Sequence, residues 1–483
     1  MNFSKGVILA GGMGTRARTR IGGKQTVKVM FPINNKPILE RKIELLRDQL
    51  DVRSILVIVG YGAELIKEHF GDGKKFGVEI EYLTSDPHLG IADALYFAKD
   101  KVGDLFVVLL GDEFYLNSNH TIIKELDSCE GEGIVTFTRT DNPQDISNNY
   151  SIQLVDGMRV VSLIEKPEKI EGDILGLGTF VLKQSVFDYI EKTELCERTK
   201  KKELVDVISN MAKEKEVYAQ ELGGKYVNIN TRDDWRYAQY LVNQAHFNEL
   251  KKSLVIPSYN EVSSISFVIN DFKNVVDEII VADGGSTDGT VKILKDFEKM
   301  GIITLVQGKF RGYGDALRHA IDASTGDIVV MVEGDATFRS RDVFKMYEYI
   351  KDCDLVMGTR TTRQLICQGA NMMPWLRMGN IFAAKIIDLL WFKYEPRFSD
   401  VGCSYRAFWK SSYDEIKHSF IGVGPEFSPE MMIEFIKNNM RVIEIPVSYY
   451  KRVGGMSKHS QSPWGILNSA MRMSWLTMKK LFS

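Results

Sequence analysis

Short, almost continuously apolar runs alternate along this chain with stretches whose apolar residues recur every third or fourth position. The first kind predicts buried strands and the second predicts helices lying on them. In the first half the predicted strands are Gly6–Ala10, Ile55–Val59, Phe106–Leu110 and Ile134–Thr138, with helices over Ile38–Leu50 and Ala92–Lys99 between them. In the second half they are Ser253–Ile256, Glu278–Ala282, Ile328–Val332, Asp354–Met357 and Val442–Val447. This alternation is the signature of α/β layering over a mainly parallel sheet. A helical stretch from Asp233 to Leu250 separates the two series, and SLVIPSYNE restarts the strand-then-loop pattern directly afterwards. The expected organisation is one domain over 1–249, a second over 250–460 and an amphipathic tail over 461–483. No Gly/Ser-rich or Pro-rich tract suggests a loose tether between them.

Composition narrows the class. A length of 483 residues suits about two to four domains. The 62 basic and 64 acidic residues nearly cancel, so no global charge favours nucleic acid. Five cysteines (Cys129, Cys196, Cys353, Cys367 and Cys403) form no C-x-x-C pair, which predicts reduced thiols in a cytoplasmic protein. The start, MNFSKGVILAGG, lacks the three regions of a signal peptide, and no run of about 18 uncharged apolar residues predicts a membrane span.

Two segments approach a membrane signal. Met372–Phe392 is apolar but interrupted by Arg377, Lys385 and Asp388. In the tail, Trp464, Leu467, Met471, Trp475, Met478 and Phe482 recur at helical spacing among Arg472, Lys479 and Lys480. That pattern fits an interfacial helix and equally a terminal helix packed on its own domain.

The chemistry of the first half begins with Leu9-Ala10-Gly11-Gly12-Met13-Gly14-Thr15-Arg16, a strand entering a glycine-rich loop that ends on a cation. Glycines let the backbone approach phosphate, and Arg16 can bind phosphate oxygens as a fork. Lys28 adds a second cation, and Gly90 lies in a turn opening a helix with small residues. Asp112 follows a buried strand, where ligands bind in such sheets, and is a hard oxygen ligand for Mg²⁺. This set resembles the sugar-1-phosphate nucleotidyltransferase family over residues 5–245, with LAGGMGTR matching LAGG-x-GTR and Glu165-Lys166-Pro167 matching its E-K-P element. The resemblance implies nucleotide binding by Leu9, Ala10, Gly11, Gly12, Gly14, Thr15 and Gly90. It further implies catalysis by Arg16, Lys28, Asp112 and Lys166, sugar-phosphate contacts from Glu165 and Lys166, and metal binding by Asp112 and Asn228. Where many members read W-x-D-x-G-T this chain has YVNINT, so base and sugar stay open.

The second half carries Val255-Ile256-Pro257-Ser258-Tyr259-Asn260-Glu261, then Val281-Ala282-Asp283-Gly284-Gly285-Ser286-Thr287-Asp288, then a glycine turn at Gly312-Tyr313-Gly314. Glu333-Gly334-Asp335 follows a buried strand, and carboxylates at this spacing can both reach a divalent ion on a diphosphate. With Met357–Arg360, Ser399–Phe408 and Glu444–Lys458, these blocks resemble the inverting family 2 glycosyltransferases over residues 252–460, polyprenyl- or dolichyl-phosphate hexosyltransferases above all. The expected fold class is therefore α/β, two nucleotide-binding Rossmann-like domains, a nucleotidyltransferase fold followed by a GT-A fold.

The second resemblance implies a nucleotide site at Pro257, Tyr259, Glu261, Asp283 and Gly314, with Asp335 and Glu333 on the metal and Asp335 catalytic. Arg406, Arg452 and Lys458 are the expected contacts for donor or acceptor phosphates. The implied cofactor is Mg²⁺, or Mn²⁺ in the second domain. The implied partners are a nucleoside triphosphate, a sugar-1-phosphate, a nucleotide sugar and a polyprenyl-phosphate acceptor on the cytosolic membrane face. Such an acceptor, with a second pKa of about 6, is already ionised. A hydroxyl acceptor would need a carboxylate, for which Glu426, Glu430 and Asp400 are available. A first domain acting on a non-sugar alcohol phosphate, as a cytidylyltransferase does, is the alternative.

Overall fold

The computed structural model describes residues 1–12, 19–21, 24–86, 88–126, 131–155, 158–454 and 463–482. The chain divides into two compact units, Met1–Val242 and Asn243–Ser483. The division falls within the helix Arg232–His246.

The first unit is built on a nine-stranded mixed sheet. In chain order its strands are β1 (Gly6–Ala10), β2 (Ser54–Val59), β3 (Glu79–Thr84), β4 (Leu105–Leu110), β5 (Gly133–Arg139), β6 (Tyr150–Val155), β7 (Arg159–Glu165), β8 (Ile174–Lys183) and β9 (Val217–Glu221). They lie side by side as β5-β9-β7-β6-β8-β4-β1-β2-β3. The four strands β3, β2, β1 and β4 run parallel, and β8 joins them antiparallel to β4. The inner parallel strands β2, β1 and β4 are nearly all apolar because both faces are covered, whereas the edge strand β3, EIEYLT, is not. Val7, Leu56, Phe106 and Val108 feed one core, while the alternate residues Ile8, Val57, Val107 and Leu109 feed the other. The helix α1 (Ile38–Glu44) continues as a wider helical turn over Leu45–Gln49 and packs on the second of these cores.

The second unit repeats the logic with seven strands. These are β10 (Lys252–Ser258), β11 (Glu278–Asp283), β12 (Thr304–Gln307), β13 (Ile328–Met331), β14 (Leu355–Thr359), β15 (Arg406–Trp409) and β16 (Val442–Pro446). Their order is β12-β11-β10-β13-β15-β14-β16, and the first four are parallel. Leu254, Ile279 and Val330 face one core, and Val255, Ile280 and Val329 face the other.

The mainly parallel expectation needs one amendment in each unit. In the second, β15 inserts antiparallel between β13 and β14. Its four residues include Arg406 and Trp409, which masks the apolar pattern of a central strand. In the first, β5 to β9 form a mixed extension of the parallel core.

Backbone proximity is decisive at Gly176 in β8, where a Cβ would lie 2.1 Å from the Tyr150 ring. Tyr150 is itself fixed, because its hydroxyl donates to Leu177 O at 2.6 Å. Gly176→Ala is expected to destabilise the first unit by about 1–3 kcal/mol, measured as a lowered denaturation midpoint. An unchanged midpoint would show that this ring can move aside.

Candidate functional site

In the first unit, the carboxyl ends of β1 and β4 lie together, with Leu9 opposite Leu110. Gly111 N donates to Leu9 O at 3.0 Å, a close approach that a side chain at 111 would obstruct. The chain then presents Asp112 to a cavity of about 870 Å³ that also meets Asn149, Glu165, Lys166, Arg198 and Asn228. That volume suits a small-molecule ligand. Lys28 Nζ lies 2.9 Å from Asp112 Oδ2 and 3.3 Å from Asn230 Oδ1. Burial opposes ionisation of Asp112, but the Lys28 charge and hydrogen bond outweigh it and hold the carboxyl below its ordinary range.

A short antiparallel pair, Glu113–Leu116 with Lys225–Asn228, places Asn228 opposite Glu113 and hence beside Asp112. Asn228 Nδ2 donates to Asn149 Oδ1 at 2.5 Å, whereas its Oδ1 is buried with no hydrogen-bond partner. Glu113 accepts from Gly178 N at 2.9 Å, Tyr115 at 2.6 Å and Tyr226 at 2.7 Å. Behind it Lys42, 2% exposed, sits 4.2 Å over the Tyr115 ring. Burial pushes that lysine down to about 8, against the pull of Glu113 and Asp112.

At the end of β7, Lys166 adopts φ 49°, uncommon for a residue other than glycine. Its N–H donates to Asn149 O at 2.6 Å, which holds this turn. Glu165 is pushed up to about 7, chiefly by burial, with Lys166 and Arg198 pulling the other way. Gly90 caps the helix α2 (Ile91–Tyr96) and meets the Lys202 backbone, where a Cβ would lie 2.2 Å from the carbonyl. Its requirement is thus backbone packing. Leu9 and Ala10 end β1, Gly11 packs near Ser85, and a side chain at Gly12 would meet open space. Gly14, Thr15 and Arg16 lie outside the described residues.

In the second unit, β10 and β11 bring Ser258 opposite Asp283. Asp283 is fully buried, and its carboxylate accepts from Gly285 N and Ser286 N at 3.0 Å and from Ser286 Oγ at 2.5 Å. It holds the glycine turn, with all of these bonds inside the protein. Asn260 N donates to Ser286 Oγ at 2.8 Å, locking the two strand-end loops together. Pro257 ends the same strand just before Ser258, and Tyr259 stands 46% exposed at the rim.

After β13, Glu333 accepts from Ser404 Oγ at 2.7 Å. Its carboxyl is pushed up to about 7 by burial first and by the neighbouring Asp335 second. Asp335 Oδ1 accepts from Thr337 N at 3.0 Å and Thr337 Oγ1 at 2.6 Å. Arg452 Nη1 lies 3.5 Å from Asp335 Oδ2, and its Nη2 pairs with Glu261. The structure therefore gathers Glu261, Glu333, Asp335 and Arg452 from three separate loops.

Four expectations are corrected. Arg406 is fully buried, donating to Cys403 O at 3.0 Å and Ser428 O at 2.7 Å with its Nη2 unpartnered, so it braces backbone carbonyls and offers no exposed surface to a phosphate. Glu430, also fully buried, accepts from Ile421 N and Gly422 N at 2.8 Å and pairs with Lys480 at 2.9 Å. Gly314 lies in the helix α3 (Tyr313–Ala323), and its bare Cα faces Phe427 and the Gly422 carbonyl, a packing role. Asp400, similarly, forms a two-point pair with Arg360 at 2.8 Å and is held below the ordinary range by it against burial. Glu426 lies 5% exposed on the 421–424 loop, and Lys458 is outside the described residues.

Asn149, Arg198 and Lys42 were not identified from sequence, nor was the pairing of Arg360 with Asp400. The first three sit in helices or loops with no recurrent motif, and all of these partners lie tens of residues apart. Among the described residues no three His, Cys, Asp or Glu side chains converge on one point. Each unit instead offers a pair. The unpartnered Asn228 oxygen beside Asp112 fits a hard divalent ion, as do the crowded carboxyls of Glu333 and Asp335.

Residues 5–236 match the nucleotidyl transferase family, and residues 253–416 match glycosyl transferase family 2. The chain thus joins a nucleotidyl transferase domain to a family 2 glycosyl transferase domain. The first is 37% identical over 195 residues to the low-salt glycan biosynthesis nucleotidyltransferase Agl11 of Haloferax volcanii, covering 39% of this chain and 52% of the relative. It is 32% identical over 225 residues to the bifunctional protein GlmU of Methanococcus maripaludis, covering 46% and 50%. A 211-residue alignment shows 31% identity to the glycosyltransferase AglJ of Haloferax volcanii, covering 42% of this chain and 64% of that one. The chain spans about half the length of the first two relatives.

The environment of Glu165 gives a pH test. With its pKa raised from 4.5 to about 7, the folded protein keeps a proton that the unfolded chain has already released. Its contribution is therefore fully present below pH 4.5 and is lost as pH rises to about 7. Glu165→Gln is expected to remove that loss, stabilising the protein by on the order of 1–3 kcal/mol at the upper end of the window. The melting-temperature difference between variant and parent should grow with pH; a constant difference would show that Glu165 ionises normally.

Proposed function

We propose that the first domain condenses a nucleoside triphosphate with a sugar-1-phosphate, releasing pyrophosphate. The second domain then transfers the sugar to polyprenyl phosphate at the cytosolic face of a membrane, in glycan or cell-surface polysaccharide assembly. The observation that carries the first half is the Lys28–Asp112 pair beside the unpartnered Asn228 oxygen at the cavity wall. An attacking sugar phosphate is already ionised, so the reaction needs positioning and charge neutralisation and no general base. Lys28 stands where it can neutralise the triphosphate, while Lys166 and Arg198 line the part of the cavity that contains Glu165. A divalent ion such as Mg²⁺, held by Asp112 and Asn228, would add electrostatic stabilisation of the phosphates.

For the second half, Glu333 and Asp335 are the residues suited to hold Mg²⁺ or Mn²⁺ against a diphosphate. Arg452, now between Glu261 and Asp335, can exchange these carboxylates for phosphate oxygens. Pro257, Tyr259 and Glu261 then border the nucleotide, and Asp283 keeps their neighbouring turn in shape. The lipid acceptor is supported by the helix α4 (Pro374–Leu390), on which Trp375, Met378, Phe382 and Leu389 are 56%, 61%, 69% and 72% exposed. Such a contiguous apolar face marks an interaction surface. No helix among the described residues is long and apolar enough to cross a membrane.

Pyrophosphate release across a matrix of nucleoside triphosphates and sugar-1-phosphates tests the first reaction and names the donor. Asp112→Ala is expected to lower that release by about 10²–10³-fold while sparing transfer from supplied nucleotide sugar. Asp335→Ala should do the reverse, with transfer to polyprenyl phosphate measured in detergent. Release only with an alcohol phosphate would overturn the sugar assignment, and transfer only to soluble hydroxyls would overturn the lipid one.

A further inference from the structure

Asn149 stands immediately before β6 and meets the turn after β7, since Tyr150 pairs with Glu165 across these strands. Its main-chain oxygen accepts from Lys166 N at 2.6 Å. Its side chain reaches the separate strand pair that carries Asn228. Asn149, Asn228, Lys166 and Asp112 line one cavity. One residue thus touches both the turn that presents Lys166 and the amide of Asn228.

The chemistry of these contacts fixes which way that amide faces. Asn149 Nδ2 donates to Asp145 O at 2.9 Å, and a carbonyl oxygen can only accept. The atom turned toward Asp145 is therefore the amide nitrogen, and Asn149 must present its Oδ1 to Asn228. An oxygen there accepts, so Asn228 answers with Nδ2, at 2.5 Å. The Tyr226 hydroxyl donates to the same Asn149 oxygen at 3.3 Å. Asn228 Oδ1 is thereby turned away from Asn149, buried and without a partner. An unpaired buried acceptor is costly, so this orientation is imposed by Asn149 and not by the oxygen's own surroundings.

Hard divalent ions bind amide oxygens, whereas an amide nitrogen offers only N–H groups that repel a cation. We propose that Asn149 is a positioning residue for the first domain's metal, locking the Asn228 amide so that its oxygen is the atom left for the ion. This rests on the assignment of that ion to Asp112 and Asn228. The lock is made by the Asn149 side chain, so it is separable from the backbone bond that holds Lys166. Without it the Asn228 amide can rotate, and its nitrogen competes for the same position. A carboxylate at 228 would need no lock, because both of its ends are oxygens.

The test is Mn²⁺ binding by the full-length protein, read from the electron paramagnetic resonance signal of the free ion. Every sample carries Asp335→Ala to silence the second domain's site. Asn149→Ala is expected to weaken the remaining site about 10-fold, and adding Asn228→Asp should restore it. Asn149→Asp, whose oxygens can only accept, should keep the affinity at or above the parental value. In pyrophosphate release, Asn149→Ala should raise the Mg²⁺ concentration needed for half-maximal rate. The KM for sugar-1-phosphate should stay unchanged, since the main chain still holds Lys166. Circular dichroism checks that each variant folds. Parental affinity in Asn149→Ala, a loss that Asn228→Asp does not relieve, or an equal loss in Asn149→Asp would overturn the inference. Asp112→Ala separates it from the assignment beneath: if Mn²⁺ binding survives that change, the ion is not on Asp112 and both fall.

Discussion

Carboxylates at the ends of buried parallel strands must be compensated by cations, and both units are arranged around that constraint. In the first, Asp112 leaves β4 beside β1 and is met by Lys28. In the second, Glu333 and Asp335 follow β13; Arg452 meets Asp335 and also reaches Glu261, while Glu333 is held by the Ser404 hydroxyl. In a low-dielectric interior such charges are tolerated only when paired or hydrogen-bonded. The chain segments that supply the cations are thereby drawn across the mouths of the sheets. The same pairs are poised for exchange, because a phosphate or a divalent ion can replace either partner.

A second layer of buried polar groups fixes the geometry of the first. Glu113 binds Gly178 N, Tyr115 and Tyr226, and through this network the short strand pair positions Asn228. Asp283 and Asn260 tie the loops at the ends of β10 and β11 to one another. Arg360, half-buried, and Asp400, fully buried, fasten the segment before β15 to the end of β14. Removing one partner of such a pair typically costs about 3–5 kcal/mol, because the other charge is left stranded. These residues shape sites that they need not touch.

The surface of the second unit carries the opposite signature. α4 and the C-terminal helix α5 (Pro463–Leu481) each bury one side and leave bulky apolar residues on the other. Helices that only cover a sheet present polar residues outward. The exposed Trp, Met and Phe residues depart from that pattern, and the ion pairs of Arg472 and Lys480 anchor the inner side of α5.

The local sequence determined the strands β1, β2, β4, β10, β11 and β13, because runs such as VVLL and IVVM are stable only when covered on both faces. It also marked Asp112, Glu333 and Asp335 as strand-end carboxylates beside glycines, whereas Lys28, Glu165 and Lys166 drew their roles from the family resemblance. Tertiary structure alone decided which of the other polar residues face a cavity. Arg406 and Glu430 have the side chains of phosphate and acceptor contacts, yet the insertion of β15 and the packing of α5 enclose both. Asn149, Lys42 and Arg198 become site residues only through partners far along the chain. A side chain's type is written in the sequence, but its exposure and pairing are set by long-range packing, which no local pattern encodes.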